Sequence, residues 1–185
     1  KNLKVYKIVF LVESKMGLEN LVTIGYNKIT NLKIPVLVGV VNYFKKDAKG
    51  FYVGGLLNEV VGNAEGLFGG LANYVEGTAE GFYVGVVKNE VEGNAEGLFR
   101  GLANYVEGTA EGFYVGVVNY AEKLKGWKLK IGKYNLILPS FQIGVYCHAT
   151  EVEGPYVQIG GLCKAGKLLP FINFGSGKGE KTIGA

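Results

Sequence analysis

Cys147 and His148 stand side by side, and Cys163 follows sixteen residues later. A thiol next to an imidazole is the raw material of a cysteine nucleophile, with the base taking the thiol proton. Neighbours on an extended strand point to opposite faces, so this pair cannot form a direct dyad there. One His and two Cys are also too few for a closed zinc site without carboxylates. The sixteen-residue separation of the cysteines carries a different expectation. If the chain winds so that these positions stack, their Cα atoms lie about 4.8 Å apart, within disulfide range. The side chains of Cys147 and Cys163 are then in contact, as a bridge formed in an oxidising compartment or as two buried free thiols.

Carboxylates recur at Glu65, Glu76, Glu80, Glu92, Glu96, Glu107 and Glu111. Paired carboxylates can do acid–base work, but seven similar copies read as a solvated acidic edge. Asp47 is the only aspartate, which excludes calcium-binding repeats built on a regular aspartate. The ending GSGKGEKTIGA (175–185) holds Lys178 among glycines. It lacks the spacing of a phosphate-binding loop and reads as a flexible tail. No catalytic residue, metal site or cofactor is expected, and the chain does not read as an enzyme. The remaining candidate is aromatic: Tyr52, Phe68, Tyr83, Phe99 and Tyr114 recur in one column, flanked by glycines. Facing outward, they would form a stripe for stacking on glycans or on another subunit.

The elements that must position these residues are set by an internal repeat. GLFGGLANYVEGTAEGFYVGVV (66–87) returns 31 residues later as 97–118, differing only at Gly69 and Arg100. Each block splits into halves of 15 and 16 residues. Aligned on one glycine, the halves extend into ten copies: Gly25, Gly39, Gly54, Gly70, Gly85, Gly101, Gly116, Gly132, Gly144 and Gly160. Three residues earlier lie Val22, Val36, Phe51, Leu67, Phe82, Leu98, Phe113, Leu129, Phe141 and Val157, all apolar. One residue earlier lie mostly Val and Ile, from Ile24 and Val38 to Ile143 and Ile159. Period-two spacing puts these two columns on one strand face, which is assigned to the core. The column between them includes Thr23, Lys130, Gln142 and Gln158 beside the aromatic residues, so it is assigned outward. Three residues after the glycine stand Asn42, Asn73, Asn104, Asn119 and Asn135, then Cys147 and Cys163.

Thirty glycines without a collagen period, together with frequent Tyr, Phe and Val, place the chain in the all-β class. The array predicts a β-solenoid of about ten coils of 14–16 residues, in which like residues stack and Asn forms a ladder along the axis. The alternative is a long-stranded antiparallel meander or barrel, with Gly62-Asn63, Gly77-Thr78, Gly93-Asn94 and Gly108-Thr109 as hairpin turns. Its strands of about 13 residues exceed the usual 5–6, which favours the solenoid. Residues 1–20 read as an N-terminal strand or cap, 21–163 as the array, and 164–185 as a C-terminal cap segment and tail.

The segments GFYVGVVNY (112–120) and SFQIGVYCH (140–148) resemble the short Gly-rich tandem repeats of bacterial and archaeal surface proteins. VEGTAEG and VEGNAEG are similar to segments of bactofilin-type β-solenoid filament proteins. The resemblance implies a surface or filament role and brings no catalytic residues.

Charge runs in bands. Residues 1–49 carry nine Lys against three acids, 50–122 carry Lys88 and Arg100 against ten Glu, and 123–185 carry nine Lys against three Glu. A nucleic-acid binder shows a continuous basic face instead, and no apolar run is long enough for a membrane helix. The expected partner is the chain itself, with polysaccharide as the alternative. The expected role is a structural protein of the cell surface or an extracellular filament or sheath. It self-assembles through the apolar terminal segments KVYKIVFLV (4–12) and KLLPFINFG (167–175). The alternative is an adhesive module that grips glycans with the aromatic stripe. Lys at position 1 is consistent with removal of a secretion signal, and the expected location is extracellular or at the cell surface.

Overall fold

The computed structural model describes residues 11–14, 21–22, 26–29, 36–131, 134–165 and 167–181. Within them the chain forms fourteen strands. β1 (Leu11–Ser14), β2 (Leu21–Val22), β3 (Tyr26–Ile29) and β4 (Val36–Phe44) begin the array. β5 (Ala48–Val60), β6 (Ala64–Val75), β7 (Ala79–Val91), β8 (Ala95–Arg100), β9 (Ala103–Val115) and β10 (Val118–Lys125) form its regular part. β11 (Trp127–Ile131) and β12 (Tyr134–Leu138) make a separate antiparallel hairpin. β13 (Ser140–Ala165) resumes the array, and β14 (Lys167–Lys181) closes it.

In the main sheet the strands pair in parallel in the order β1, β3, β4, β5, β6, β7, β8, β9, β10 and β13, with β2 beside β4 and the β11–β12 hairpin left out. The protein is therefore a β-solenoid. The glycine-containing dipeptides are stacked corners and not hairpin turns: Gly77 N–H donates to Gly62 O at 3.2 Å, and Thr78 N–H to Asn63 Oδ1 at 2.8 Å.

Repeat length explains one irregularity. In the coils holding Gly54 and Gly85 the bend after the glycine contains one extra residue, and the ladder shifts register there. This bulge brings Asn58 and Asn89, four residues past their glycines, into the Asn column. A fixed three-residue offset misses both.

The coil count also departs from ten. A Cβ on Gly144 would lie 2.2 Å from Gly116 O, so Gly144 stacks directly on Gly116. Phe141 likewise pairs with Phe113. Gly132 itself lies outside the described residues, and the residues on either side of it form the β11–β12 hairpin, where Leu129 pairs with Leu136 and Lys130 with Asn135, so Asn135 is not in the Asn column as its spacing implied. Its strands satisfy their backbone groups with each other, so the segment leaves the stack. Gly25 lies outside the described residues.

The core reverses the expected strand faces. Tyr52, Phe68, Tyr83, Phe99 and Tyr114 are at most 1% exposed, whereas Phe51 is 42% and Phe82 57% exposed. The physical reason is space. Inside a narrow coil the inward positions along β7 are Ala79, Gly81, Tyr83 and Gly85, so one ring lies between two residues without side-chain bulk. The rings stack along the axis, with centroids 4.7–5.0 Å apart from Phe68 to Tyr114. Of the polar residues that argued for exposure, Thr23 lies outside the described residues and the others do not oppose burial. Lys130 is in the hairpin, and Gln158 Nε2 donates to Gln142 Oε1 at 2.7 Å. In-register stacking supplies each buried amide with a partner, which removes the cost of burying it.

The C-terminal segment is ordered further than a flexible tail. β14 runs antiparallel along the last coil, with Phe174 opposite Val157 and Lys178 opposite Glu153.

Candidate functional surfaces

Inside the rod the conspicuous groups are occupied in holding it together. Asn42, Asn58, Asn73, Asn89, Asn104 and Asn119 form a continuous ladder, each Nδ2 donating to the next Oδ1 at 2.8 Å. Asn119 Nδ2 also approaches Cys147 Sγ at 3.9 Å, where the amide column ends in sulfur. Cys147 and Cys163 are both buried and free. Burial, followed by the neighbouring Cys163 thiol, pushes Cys147 up to about 12. A thiol held that high has little thiolate at neutral pH and is a poor nucleophile. His148 lies on the other side of the strand, with Nδ1 2.9 Å from Tyr146 Oη. Burial, and then Lys164, hold its pKa below the usual value. The Cys147–His148 neighbours are thus separated by the strand itself, and no dyad forms.

The aromatic column Tyr52, Phe68, Tyr83, Phe99 and Tyr114 cannot contact a ligand from inside the core. Tyr83 Oη donates to Ala64 O, and Tyr114 Oη to Ala95 O, each at 2.7 Å. The outward residues are different. Strand alternation puts Lys49, Phe51 and Val53 outside where Ala48, Gly50, Tyr52 and Gly54 are inside. Repeated up the rod, this makes three parallel columns on one flat face.

The first column is charged: Lys49, Glu65, Glu80, Glu96 and Glu111. Lys49 bridges Glu65 at 2.7 Å, and Lys125 bridges Glu111 at 3.1 Å. Trp127 Nε1 donates to Glu96 at 3.1 Å from the hairpin. Glu65, Glu76, Glu80, Glu92, Glu96 and Glu107 are exposed, as the sequence indicated, whereas Glu111 is largely covered. The second column is a ridge of Phe51, Leu67, Phe82, Leu98, Phe113 and Phe141. The third contains Val53, Val84, Val115, Ile143 and Ile159, broken by Gly69 and Arg100. Beyond it, the glycine bends form the floor of a groove of about 760 Å3, walled on the far side by Val86, Leu102, Val117 and Val145. Glycine is required at this bend because a Cβ on Gly85 would lie 2.4 Å from Lys88 O.

A second outer surface carries Tyr43, Glu59, Tyr74, Glu90, Tyr105, Tyr120 and His148 in one column. Tyr105 and Tyr120 stack at 4.6 Å, and Lys88 lies 5.7 Å from the Tyr105 ring centre. This is the partly exposed aromatic ladder of the molecule. Its sequence signal was a Tyr one residue after Asn at 74, 105 and 120, but Glu at 59 and 90 interrupts it.

Among the described residues no three His, Cys, Asp or Glu side chains are grouped to hold a metal ion. No helix among them is long and apolar enough to cross a membrane. No protein family, curated protein or solved structure matches the chain.

Proposed function

We propose that this chain is a structural repeat protein, a rigid rod that assembles end to end into a filament, sheath or layer at the cell surface or outside the cell. One observation carries the reading: the C-terminal end of the rod is a long antiparallel strand that leaves apolar side chains in water. On β14, Phe171, Ile172 and Phe174 are 73%, 55% and 74% exposed. Among the described residues β14 pairs only with β13, so its other edge offers backbone groups to a further strand. The N-terminal segment 4–12 lies mostly outside the described residues. The test is negative-stain microscopy of the purified chain beside Phe171→Asp/Phe174→Asp. The expected result is filaments for the first and short or single rods for the second. Single rods under all conditions would refute the proposal.

The exposed Tyr ladder favours a second reading, an adhesive module for polysaccharide. Stacked rings on an outer face suit sugar stacking. Retention of the wild-type chain on an insoluble polysaccharide, lost in Tyr105→Ala/Tyr120→Ala, would support it.

A further inference from the structure

The rod has a side as well as ends, and that side is apolar to an extent that free surfaces seldom are. On it Phe82 is 57%, Val84 42%, Val86 61% and Leu102 55% exposed. Eight stacked glycines, from Gly39 to Gly160, give a height of about 38 Å at ~4.8 Å per coil. From ridge to groove wall the face is about five residues wide, ~17 Å at ~3.3 Å each. That is a footprint of roughly 650 Å2 per copy, interrupted by Arg100 and by Trp127 against Phe113, and close to a standard interface half.

We propose that this face pairs with the same face of a second copy, ridge into groove, with the two rods parallel. Ridge and groove are both built once per coil, so they share one axial pitch, which a second copy reproduces. They lie side by side on one face. A two-fold axis parallel to the rod and between the columns places each ridge over the other's groove. An axis across the rod would set ridge on ridge and groove on groove, leaving a void. The rim is charged. The parallel arrangement carries the Glu80 side of each copy toward the rim beyond the other's groove, where Lys88 bridges its own Glu90 at 2.8 Å and lies over the Tyr105 ring. The interface then has an apolar centre and a charged rim. Arg100 is the exception: it stands within the apolar columns and faces its own copy across the axis. Like charges opposed in this way weaken association. The repeat carries glycine at the equivalent Gly69, with nothing within 4 Å of its absent Cβ. Arg100 therefore limits pairing, and both Arg100→Gly and added salt strengthen it.

This pairing extends the assembly reading to a second surface and stands whether or not the ends join. Phe82 and Val86 lie in the middle of the rod, away from β14, so their substitution leaves the ends intact. The experiment is analytical ultracentrifugation of the full chain, with circular dichroism confirming the fold. Phe82→Lys is expected to weaken lateral dimerisation by about tenfold or more, and Arg100→Gly to strengthen it. Cross-linking fixes the geometry. A mixture of Phe82→Cys and Val86→Cys chains forms the mixed disulfide under air oxidation, while Phe82→Cys alone does not. Homodisulfides of Phe82→Cys would mean antiparallel pairing and overturn the proposal. So would unchanged dimerisation in Phe82→Lys, or a wild-type chain that stays unpaired and floats with phosphatidylcholine vesicles through this face. Loss of filaments in the β14 variant with lateral dimers retained would leave this inference standing.

Discussion

Adjacent residues in this rod have opposite fates, and the contrast is measurable. Tyr83 is buried in a stack of rings, while Phe82 is 57% exposed. Tyr83→Ala is expected to cost about 3–5 kcal/mol by chemical denaturation, and Phe82→Ala less than about 1 kcal/mol. This is the reverse of the order that the apolar columns imply. The Asn ladder gives a second test. Asn89 accepts from Asn73 and donates to Asn104 and Arg100 O. Asn89→Ala strands these partners, and a loss of about 3 kcal/mol is expected. Buried hydroxyls give a third. Burial pushes Tyr52 up to about 12 and raises Tyr83 and Tyr114 as well. A raised folded-state pKa means the unfolded chain ionises first. Stability is therefore full below pH ~10 and falls as pH rises from there toward 12. Melting temperatures across that range should drop steeply in the wild-type chain and less in Tyr83→Phe.

At the scale of the element, corners decide more than strands. Gly81 has a φ of 122°, and a Cβ there would lie 2.1 Å from Gly66 O. Gly81→Ala is expected to cost about 3 kcal/mol or more, since both the dihedral and the contact oppose it. Gly69→Ala, with open space, should be neutral or slightly stabilising. Thermal melts of the pair check this. The β11–β12 hairpin makes a stronger claim. Ser140 Oγ bonds Lys125 O, so the two ends of the excursion meet. Replacing 128–137 by a two-residue turn should leave a folded β-sheet spectrum and a cooperative melt. An unfolded product would mean that the hairpin, through Trp127 against Phe113, is part of the coil it leaves.

On the scale of the whole molecule, the described coils stack in chain order, so the acidic band of residues 50–122 becomes an acidic stretch of the rod. In-register side-by-side pairing sets these acidic stretches against each other, and the basic bands at either end of the sequence oppose end-to-end joining, so charge resists both. Apolar contacts must overcome it. Assembly is therefore expected to hold or increase between low and moderate salt, as screening shortens the reach of the charges to about 8 Å. Light scattering across a salt series reads this directly. Assemblies that dissolve as salt rises would show charge, and not β14 or the apolar face, to be holding them.

The repeat by itself determined the all-β class and favoured stacked coils over an antiparallel meander, because identical positions at a fixed period become neighbours whenever a chain coils; the parallel pairing and the places of Asn58 and Asn89 in the ladder came only with the fold. It also placed Cys147 beside Cys163, though not whether they bond; in the fold they remain thiols. It did not determine which strand face points in. Alternation gives two faces, and both were rich in apolar residues: Phe82 and Val84 on one, Tyr83 on the other. Only the tertiary structure decided between them, through the room that Gly81 and Gly85 leave on either side of a ring and the partners that in-register stacking gives Gln142 and Gln158. Nor could the column of glycines show that the segment with Trp127–Ile131 and Tyr134–Leu138 stands apart. Its spacing fits the array, but its strands pair with each other before a coil can claim them.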